Sequence, residues 1–571
     1  MIDARLYHSL IPINPGSDPD GETLKEAIVC NNQAYSFQLA YKITDFSADN
    51  IDFYVRFESE LPISVYYVNC VPMIHTAFSG CKPEVPVGLC PDILIPKQTN
   101  PKLKKVANWN NTRTFESGER VLLNAFRDSW QSLWICVNEN SRVIKAGSYK
   151  IKIKLYSLFD AELAAAELDV EVLDKKLPRQ KLMYTNWFHH DCLVDYYGVE
   201  LFSERYFDIM EDYVRKAVIN GMNMILVPAF TPPLDTPLNG ERMTVQLVKA
   251  EYRDGDYIFD FSLMKKYIDV CKRCGIRYFE HSHFFTQWGA RSAPKIRVRV
   301  GDKEVTMFGW QTKATGKKYV TFLRKYITEL KRFLAAENLN GKMLFHISDE
   351  PGKEHVESYG AAKSVIADLL EGEMCGDAVS DTGVYEAGYC DMPIANTRCI
   401  HKFIGNCNNL WAYYIGSNCQ DSMSNRLLQV SRERNRMLGV QLYYYKIKGF
   451  LQWGYNNYYG ELSQGFYEPY FNPCCGWSAS GSSYMVYPDR TGKALQSVRQ
   501  KVFGDGLNDI RLLSLLEGLK GRGAVEAIIE KHFGKPSFND GPDTPQKYID
   551  FIQDVYMGIR NYEKEEKQCE T

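Results

Sequence analysis

Two adjacent carboxylates, Asp349 and Glu350, end the apolar run Lys342-Met343-Leu344-Phe345-His346-Ile347-Ser348 and are followed at once by Pro351-Gly352. A strand tip is where an α/β enzyme places its chemistry, and paired carboxylates are what cleavage of a glycosidic bond requires. Two neighbouring acids also arise by chance, as a solvated turn that closes a strand. The residues around the pair therefore carry the decision.

Polar and aromatic side chains gather at other candidate strand ends: Asn186-Trp187-Phe188-His189-His190-Asp191, Glu280-His281-Ser282-His283 with Trp288 beyond, Asp381, Trp411-Ala412-Tyr413-Tyr414, and Gln452-Trp453-Gly454-Tyr455-Asn456. His281 and His283, at i and i+2 on one strand face, offer a second chemistry, a zinc site completed by His190 or Asp191. The same histidines also suit hydrogen bonds to substrate hydroxyls or to carboxylates. Cys271-Lys272-Arg273-Cys274 is a single CxxC on a helix with no second pair. The chain holds no phosphate-cradling Gly-x-x-x-x-Gly-Lys-Ser/Thr loop, no Gly-x-Ser-x-Gly elbow and no dinucleotide fingerprint, which leaves a hydrolase that needs no cofactor.

These tips need a frame. From about residue 182 onward, strands alternate with helices, and eight candidate strands lie near 182–188, 223–228, 276–282, 342–348, 376–381, 390–394, 410–414 and 449–454. Eight parallel strands make a (β/α)8 barrel, with the functional residues at one mouth. One intervening helix runs from about Ser203, a serine N-cap, to Asn220, with Phe207, Met210, Val214, Ala217 and Val218 on one face; another spans Leu263 to Cys274 and stops at Gly275.

Before the barrel, residues 33–174 show the two-residue period of half-buried strands. In Lys150-Ile151-Lys152-Ile153-Lys154-Leu155 the lysines face water and the aliphatics face a core, and several such runs predict a β-sandwich. The charged, proline-bearing stretch Asp174–Arg179 reads as a linker. The predicted division is a β-sandwich over 1–178, a catalytic (β/α)8 barrel over 179–510 and C-terminal helices over 511–571. In that tail Tyr548, Phe551, Ile552, Val555, Tyr556 and Ile559 form one apolar stripe before the charged end Glu563–Lys567.

The chain has 571 residues, enough for several domains, and its 68 Lys+Arg against 70 Asp+Glu leave a formal charge of -2. That balance gives no field for a nucleic acid or an acidic membrane, so the expected ligand is small or neutral, with neither nucleic acid nor membrane as partner. Aromatics reach 13 %, with 37 Tyr and 9 Trp, a supply of flat rings for sugar stacking. No apolar stretch of about 18 residues is present, the start Met1-Ile2-Asp3-Ala4-Arg5 lacks the pattern of a signal peptide, and the 16 cysteines follow no disulfide-scaffold spacing. A cytoplasmic setting is the expectation; the sequence assigns no oligomeric state.

With Ser348-Asp349-Glu350-Pro351 in this setting the chain resembles glycoside hydrolase family 123 and the broader group related to it. The resemblance extends over nearly the whole chain, through Cys90–Pro96 and Ser132-Leu133-Trp134, Trp187-Phe188-His189, Phe450-Leu451-Gln452-Trp453, and Tyr484–Pro488 with Ser497-Val498-Arg499 and Asp505–Asp509. It implies a β-N-acetylgalactosaminidase that works with retention and substrate assistance. Glu350 is then the general acid and base, and Asp349 orients the substrate's acetamido group. Tyr414, Trp453 and Tyr455 are candidates for enclosing the sugar and its acetamido methyl, and His190, Asp191, His283 and Asn456 for binding hydroxyls. Trp288 and Asp381 complete the candidate mouth. The chain departs from the family pattern at Gly481-Ser482-Ser483 and at Gln452 and Gly454 around Trp453, which bears on substrate more than on fold. Two other readings stay open: a zinc-dependent barrel hydrolase using His281, His283 and His190, and a non-catalytic carbohydrate-binding protein.

Overall fold

The computed structural model describes residues 2–44, 49–74, 88–96, 120–420 and 422–570, with side chains up to residue 565. Of the residues used above, Met1 and the side chains of Glu566 and Lys567 lie outside that set.

The N-terminal region is β-rich. Five strands form one sheet in the order Glu26–Cys30, Glu162–Leu173, Gly147–Ser157, Asn50–Glu58, Val121–Phe126. The alternation in Gly147–Ser157 behaves as the sequence predicts: Ile151, Ile153 and Leu155 are fully buried against Phe37, Leu39, Leu133 and Ile135 of a facing sheet. That facing sheet has seven strands, and two of them come from within the stretch predicted as the barrel, far along the chain. Ala494–Ser497 pairs with Leu89–Pro96 through Gln496↔Leu94 and Ser497↔Ile93, and Tyr487–Pro488 adds the edge. A buried ion pair fastens this junction, with Arg499 Nη2 3.0 Å from Asp92 Oδ2 and the Tyr487 hydroxyl donating to the same oxygen at 2.6 Å.

The catalytic region is built on a curled parallel sheet. Its strands run in space Met374–Cys375, Met343–Phe345, Tyr278–His281, Met224–Val227, Met183–Asn186, Gly449–Gln452, Trp411–Tyr413, Ile394–Asn396, Ala378–Val379. The two ends of this order are halves of one short segment. Met374 and Cys375 pair with Leu344 and Phe345, while Ala378 and Val379 pair with Ile394 and Ala395, and only Gly376 and Asp377 lie between. A side chain at 376 has no room, since a Cβ there would lie 2.3 Å from the Met392 carbonyl oxygen.

Helices Glu204–Ile219, Ser262–Cys274, Lys317–Ala336 and Arg432–Tyr444 cover the sheet. The Ser203 hydroxyl accepts the Tyr206 N–H at 3.2 Å as the N-cap, and Gly275 closes its helix with φ +111°. Around 380–410 the regular alternation fails. There the links carry only Gly383–Glu386 and the three-residue turn Ile400–Lys402, because too little chain separates the strands to build full helices. An insertion absent from the sequence reading, a four-stranded sheet of Lys249–Arg253, Asp256–Asp260, Ile296–Val300 and Lys303–Phe308, packs beside the helix Lys317–Ala336.

One continuous helix, Val498–Lys520, passes position 510 and leads to Arg522–Phe533 and Pro545–Glu570. The predicted stripe Tyr548, Phe551, Ile552, Val555, Tyr556 and Ile559 is buried among Tyr7, Ile11 and Trp134 of the sandwich and Leu512 and Leu516 of that helix. Arg436 and Asp509 form a bidentate buried pair at 2.6 and 2.8 Å, joined by the Tyr548 hydroxyl at 2.7 Å.

Candidate active site

The run from Met343 to Ser348 is buried, and Asp349 and Glu350 emerge at the end of the sheet with intermediate exposure. The ladder stops at Phe345, so the backbone beyond it needs other partners. On one side the N–H groups of Phe284 and Phe285 donate to the carbonyls of His346 and Ile347, both at 3.0 Å, and the Ser348 hydroxyl donates to the Thr286 carbonyl at 2.8 Å. On the other side the Asp377 carboxylate accepts the N–H groups of Ile347, at 3.1 Å, and Ser348, at 3.2 Å. The Trp288 N–H donates to the Asp349 carbonyl at 2.9 Å, and Glu350 takes a left-handed backbone with φ +45°. Such a conformation is uncommon for a residue with a side chain and recurs at functional sites.

The Tyr413 hydroxyl donates to Glu350 Oε1 at 2.6 Å. Tyr413 is 2 % exposed, and burial together with the Glu350 carboxylate holds its phenol well above the ordinary range, so it remains a donor. Burial also raises Asp349 well above the usual carboxylate range; the neighbouring Glu350 adds to this and His346 opposes it. Two adjoining carboxyls of this kind share a proton more readily than they both ionise.

The mouth is aromatic. Trp187, Trp411, Tyr413 and Trp453 belong to the apolar group inside the curled sheet, and the Trp453 ring lies 6.1 Å from Trp477. Trp288, 42 % exposed, stands beside the Asp349 backbone. His283 stacks on His346 with ring centroids 4.5 Å apart and meets the edge of Trp187 at 5.5 Å. Trp453, Trp288 and His283 therefore lie at the end of the sheet that carries Asp349 and Glu350.

Other predicted residues face elsewhere. Tyr414 is buried outside the sheet, with its ring against Phe450; Tyr413, one residue earlier, is the one that points inward. The Tyr455 hydroxyl donates to the Tyr213 carbonyl at 2.8 Å in the helical layer. His190 packs among Phe188, Tyr206 and Tyr267, and burial lowers its pKa to about 3. Asn456 clamps the His189 backbone, accepting its N–H and donating to its carbonyl, both at 2.9 Å. Asp191 is tied to Arg242 at 2.7 Å; burial works to raise its pKa, and the guanidinium overrides that and holds it low. Asp381 accepts the Gly383 N–H at 2.7 Å at the start of a short helix. Tyr414 faces outward because it alternates with Tyr413, Asp381 stays half-exposed, and Tyr455, His190, Asn456 and Asp191 are buried in packing beyond their strand ends.

The zinc grouping is not assembled. His281 reaches outward to the Tyr326 hydroxyl at 2.7 Å, His283 points inward, and His190 lies in the helical layer. The strand ends at His281, so the i, i+2 rule no longer applies to His283. Among the described residues one other group has metal-ligand proximity: His283, His346 and Asp377 place one candidate atom each within 4.8 Å. Its imidazoles stack at an interplanar angle of 17°, so their in-plane lone pairs run side by side without converging on one ion.

Two further residues of the site received no role from the sequence reading: Glu280, named only as part of a strand end, and Asp377, not named. Glu280 accepts from the Thr185 hydroxyl, from Trp187 Nε1 at 3.0 Å and from His346 Nε2 at 3.1 Å, and Asp377 meets His346 Nδ1 at 3.2 Å. A charged residue at an inward position of an otherwise apolar strand, as in Tyr278-Phe279-Glu280-His281, was the available signal.

Residues 187–516 match the model of the glycoside hydrolase 123 catalytic domain. In overall structure the chain is similar to a family 123 glycoside hydrolase from Clostridium perfringens, solved in work on glycolipid glycan hydrolysis, at a TM-score of 0.66 and 12 % identity over 100 % of both chains. A β-glucuronidase from Bacteroides uniformis matches at a TM-score of 0.29 and 9 % identity, over 86 % of this chain and 50 % of that one. Comparison with curated proteins finds no match.

Proposed function

Since the chain belongs to glycoside hydrolase family 123 and so to the glycosidases, we propose that it releases a terminal β-linked N-acetylgalactosamine from glycoconjugates with retention of configuration, the substrate's own acetamido group serving as nucleophile. We read the curled sheet as an eight-strand barrel whose fifth strand is broken at Gly376-Asp377, a reading supported by the pairing of the two halves of that strand with opposite neighbours.

The observation that carries the mechanism is the disposition of the acids. Asp349 and Glu350 are neighbours on one strand tip, and the other carboxylates named above are committed: Glu280 and Asp377 to His346, Asp191 to Arg242, Asp381 to a helix end. A conventional retaining site sets a nucleophile about 5 Å across the sugar from the acid. Two adjacent groups on one side suit a substrate that brings its own nucleophile.

Glu350, protonated, donates to the glycosidic oxygen while the acetamido oxygen attacks the anomeric carbon from the opposite face. Asp349 accepts the acetamido N–H and stabilises the cationic oxazolinium ion. Glu350, now ionised, draws a proton from water as it opens that ring. When Glu350 holds the proton its repulsion of Asp349 disappears, so the pair reaches the working state with one proton between them.

The test is hydrolysis of an aryl β-N-acetylgalactosaminide. Glu350→Gln should lose about three orders of magnitude or more in kcat, within the range for removing an acid or base, and aryl β-galactoside, which lacks the acetamido group, should not be cleaved. Full activity in Glu350→Gln, or rapid cleavage of the plain galactoside, overturns the proposal.

A further inference from the structure

Below the catalytic pair lies a charged group that the mechanism above does not use. His346, Glu280 and Asp377 are all fully buried. His346 Nε2 is 3.1 Å from Glu280 Oε2 and its Nδ1 is 3.2 Å from Asp377 Oδ1. A neutral imidazole has one N–H and one lone pair, so it would point a lone pair at a carboxylate; two donors are satisfied only by the cation. Burial opposes the charge, yet Asp377 and Glu280 together raise the imidazole to a pKa of about 10.

The surroundings show what this cation holds. Glu280 belongs to the third strand of the sheet and also takes donors from Thr185 and Trp187 of the first strand's end. Asp377 lies in the break of the fifth and also takes the Tyr359 hydroxyl at 2.6 Å. His346 itself begins the tip of the fourth strand, three residues before Asp349. The remaining groups that face it are the His283 ring stacked on it, the Trp187 edge at 6.3 Å and the Asp349 carboxyl, which it draws toward ionisation. His283 is held far below the ordinary histidine range by burial and by this neighbouring cation, so it adds no second charge.

We propose that His346 is the positioning residue of the catalytic tip, a locked imidazolium that aligns the Asp377 carboxylate beneath Ile347 and Ser348 and supplies the counter-charge that lets Asp349 ionise while Glu350 keeps its proton. Without the cation, the fully buried Glu280 and Asp377 and the half-exposed Asp349 are three neighbouring carboxyls with no counter-charge between them. One of them then binds a proton: at Asp377 this weakens the acceptor that holds two backbone N–H groups, and at Asp349 it removes the acceptor that the acetamido group needs. The catalytic part of this inference rests on the function proposed above; the charge state of His346 does not.

His346→Gln keeps a polar side chain but no charge. In the pH profile of kcat/KM on an aryl β-N-acetylgalactosaminide, its acid limb should move up by about one unit, so that activity at pH 5 falls about ten times more than activity at pH 8. A uniform loss with unmoved limbs marks a merely structural role and overturns the proposal. A second measurement needs neither activity nor a variant. With 15N-labelled histidine, one of the ten imidazoles should keep both ring N–H groups at pH 8.5. If all ten are neutral there, the cation and the proposal with it are refuted, whatever the enzyme cleaves. Should His346→Gln not fold, Glu280→Gln provides the same decision, since loss of one carboxylate must lower the titration of that imidazole by a unit or more, and an unchanged titration overturns the proposal.

Discussion

Tyr413→Phe probes the hydrogen bond that Glu350 accepts. The ring keeps its place among Trp187, Trp411 and Leu451 inside the sheet, while the 2.6 Å bond to Glu350 Oε1 is removed together with the hydroxyl's contact to the Asn396 side chain, which does not involve the carboxylate. Its energetic weight depends on the charge of the acceptor. In the proposed mechanism Glu350 enters the reaction as a neutral acid, and a hydrogen bond to a neutral group contributes about 1 kcal/mol net. As the proton passes to the glycosidic oxygen Glu350 becomes a carboxylate, and a bond to a charged acceptor contributes about 1.5–3 kcal/mol. The difference, roughly 0.5–2 kcal/mol, is transition-state stabilisation and corresponds to a loss of about 2- to 30-fold in kcat. KM should change little, because a neutral Glu350 binds ground-state substrate much as before. Steady-state kinetics on the aryl glycoside, with a thermal melt to verify the fold, measure the effect. A raised KM with unchanged kcat would mean that Tyr413 binds ground-state substrate and not the developing charge, and would refute the reasoning.

Asp349→Asn should cost about 10²- to 10³-fold in kcat by removing the anionic acceptor of the acetamido N–H. The same change should stabilise the fold at pH 7: the Asp349 pKa is raised on folding, so its ionisation costs stability once the pH passes 3.8, and the gain in Tm should shrink as the pH falls toward 4. Asn456→Ala removes two buried hydrogen bonds to the His189 backbone and should destabilise by roughly 2–4 kcal/mol in urea unfolding; an unchanged midpoint with a raised KM would restore Asn456 as a substrate ligand.

What the sequence discloses follows the range of the interaction. Asp349-Glu350 and the alternation in Gly147–Ser157 are local patterns and need no tertiary information. Tyr414 in place of Tyr413 is an error of one residue, and with a period of two that is enough to move a side chain from the inside of the sheet to the outside. The inward pair Trp411 and Tyr413, spaced i and i+2, contained the phase. Glu280 and Asp377 lie 66 and 31 residues from His346, and an isolated acid on a strand gives no sign of a partner that arrives only when the sheet curls. The family resemblance extends over nearly the whole chain, yet the loan of Tyr487–Pro488 and Ala494–Ser497 to the sandwich depends on pairings between residues about four hundred positions apart.

The break at Gly376-Asp377 also bears on how the enzyme responds to heat. The two stretches that flank it are each held by only two residue pairs. Local opening is least costly where hydrogen bonds are few. Asp377 sits in that seam and holds the amides just ahead of Asp349 and Glu350, so a seam that parted briefly would release the geometry the proposed mechanism needs while leaving the sandwich and helices intact. Activity should therefore fall on warming before the global unfolding transition, an order that activity and circular dichroism followed on one temperature ramp would test.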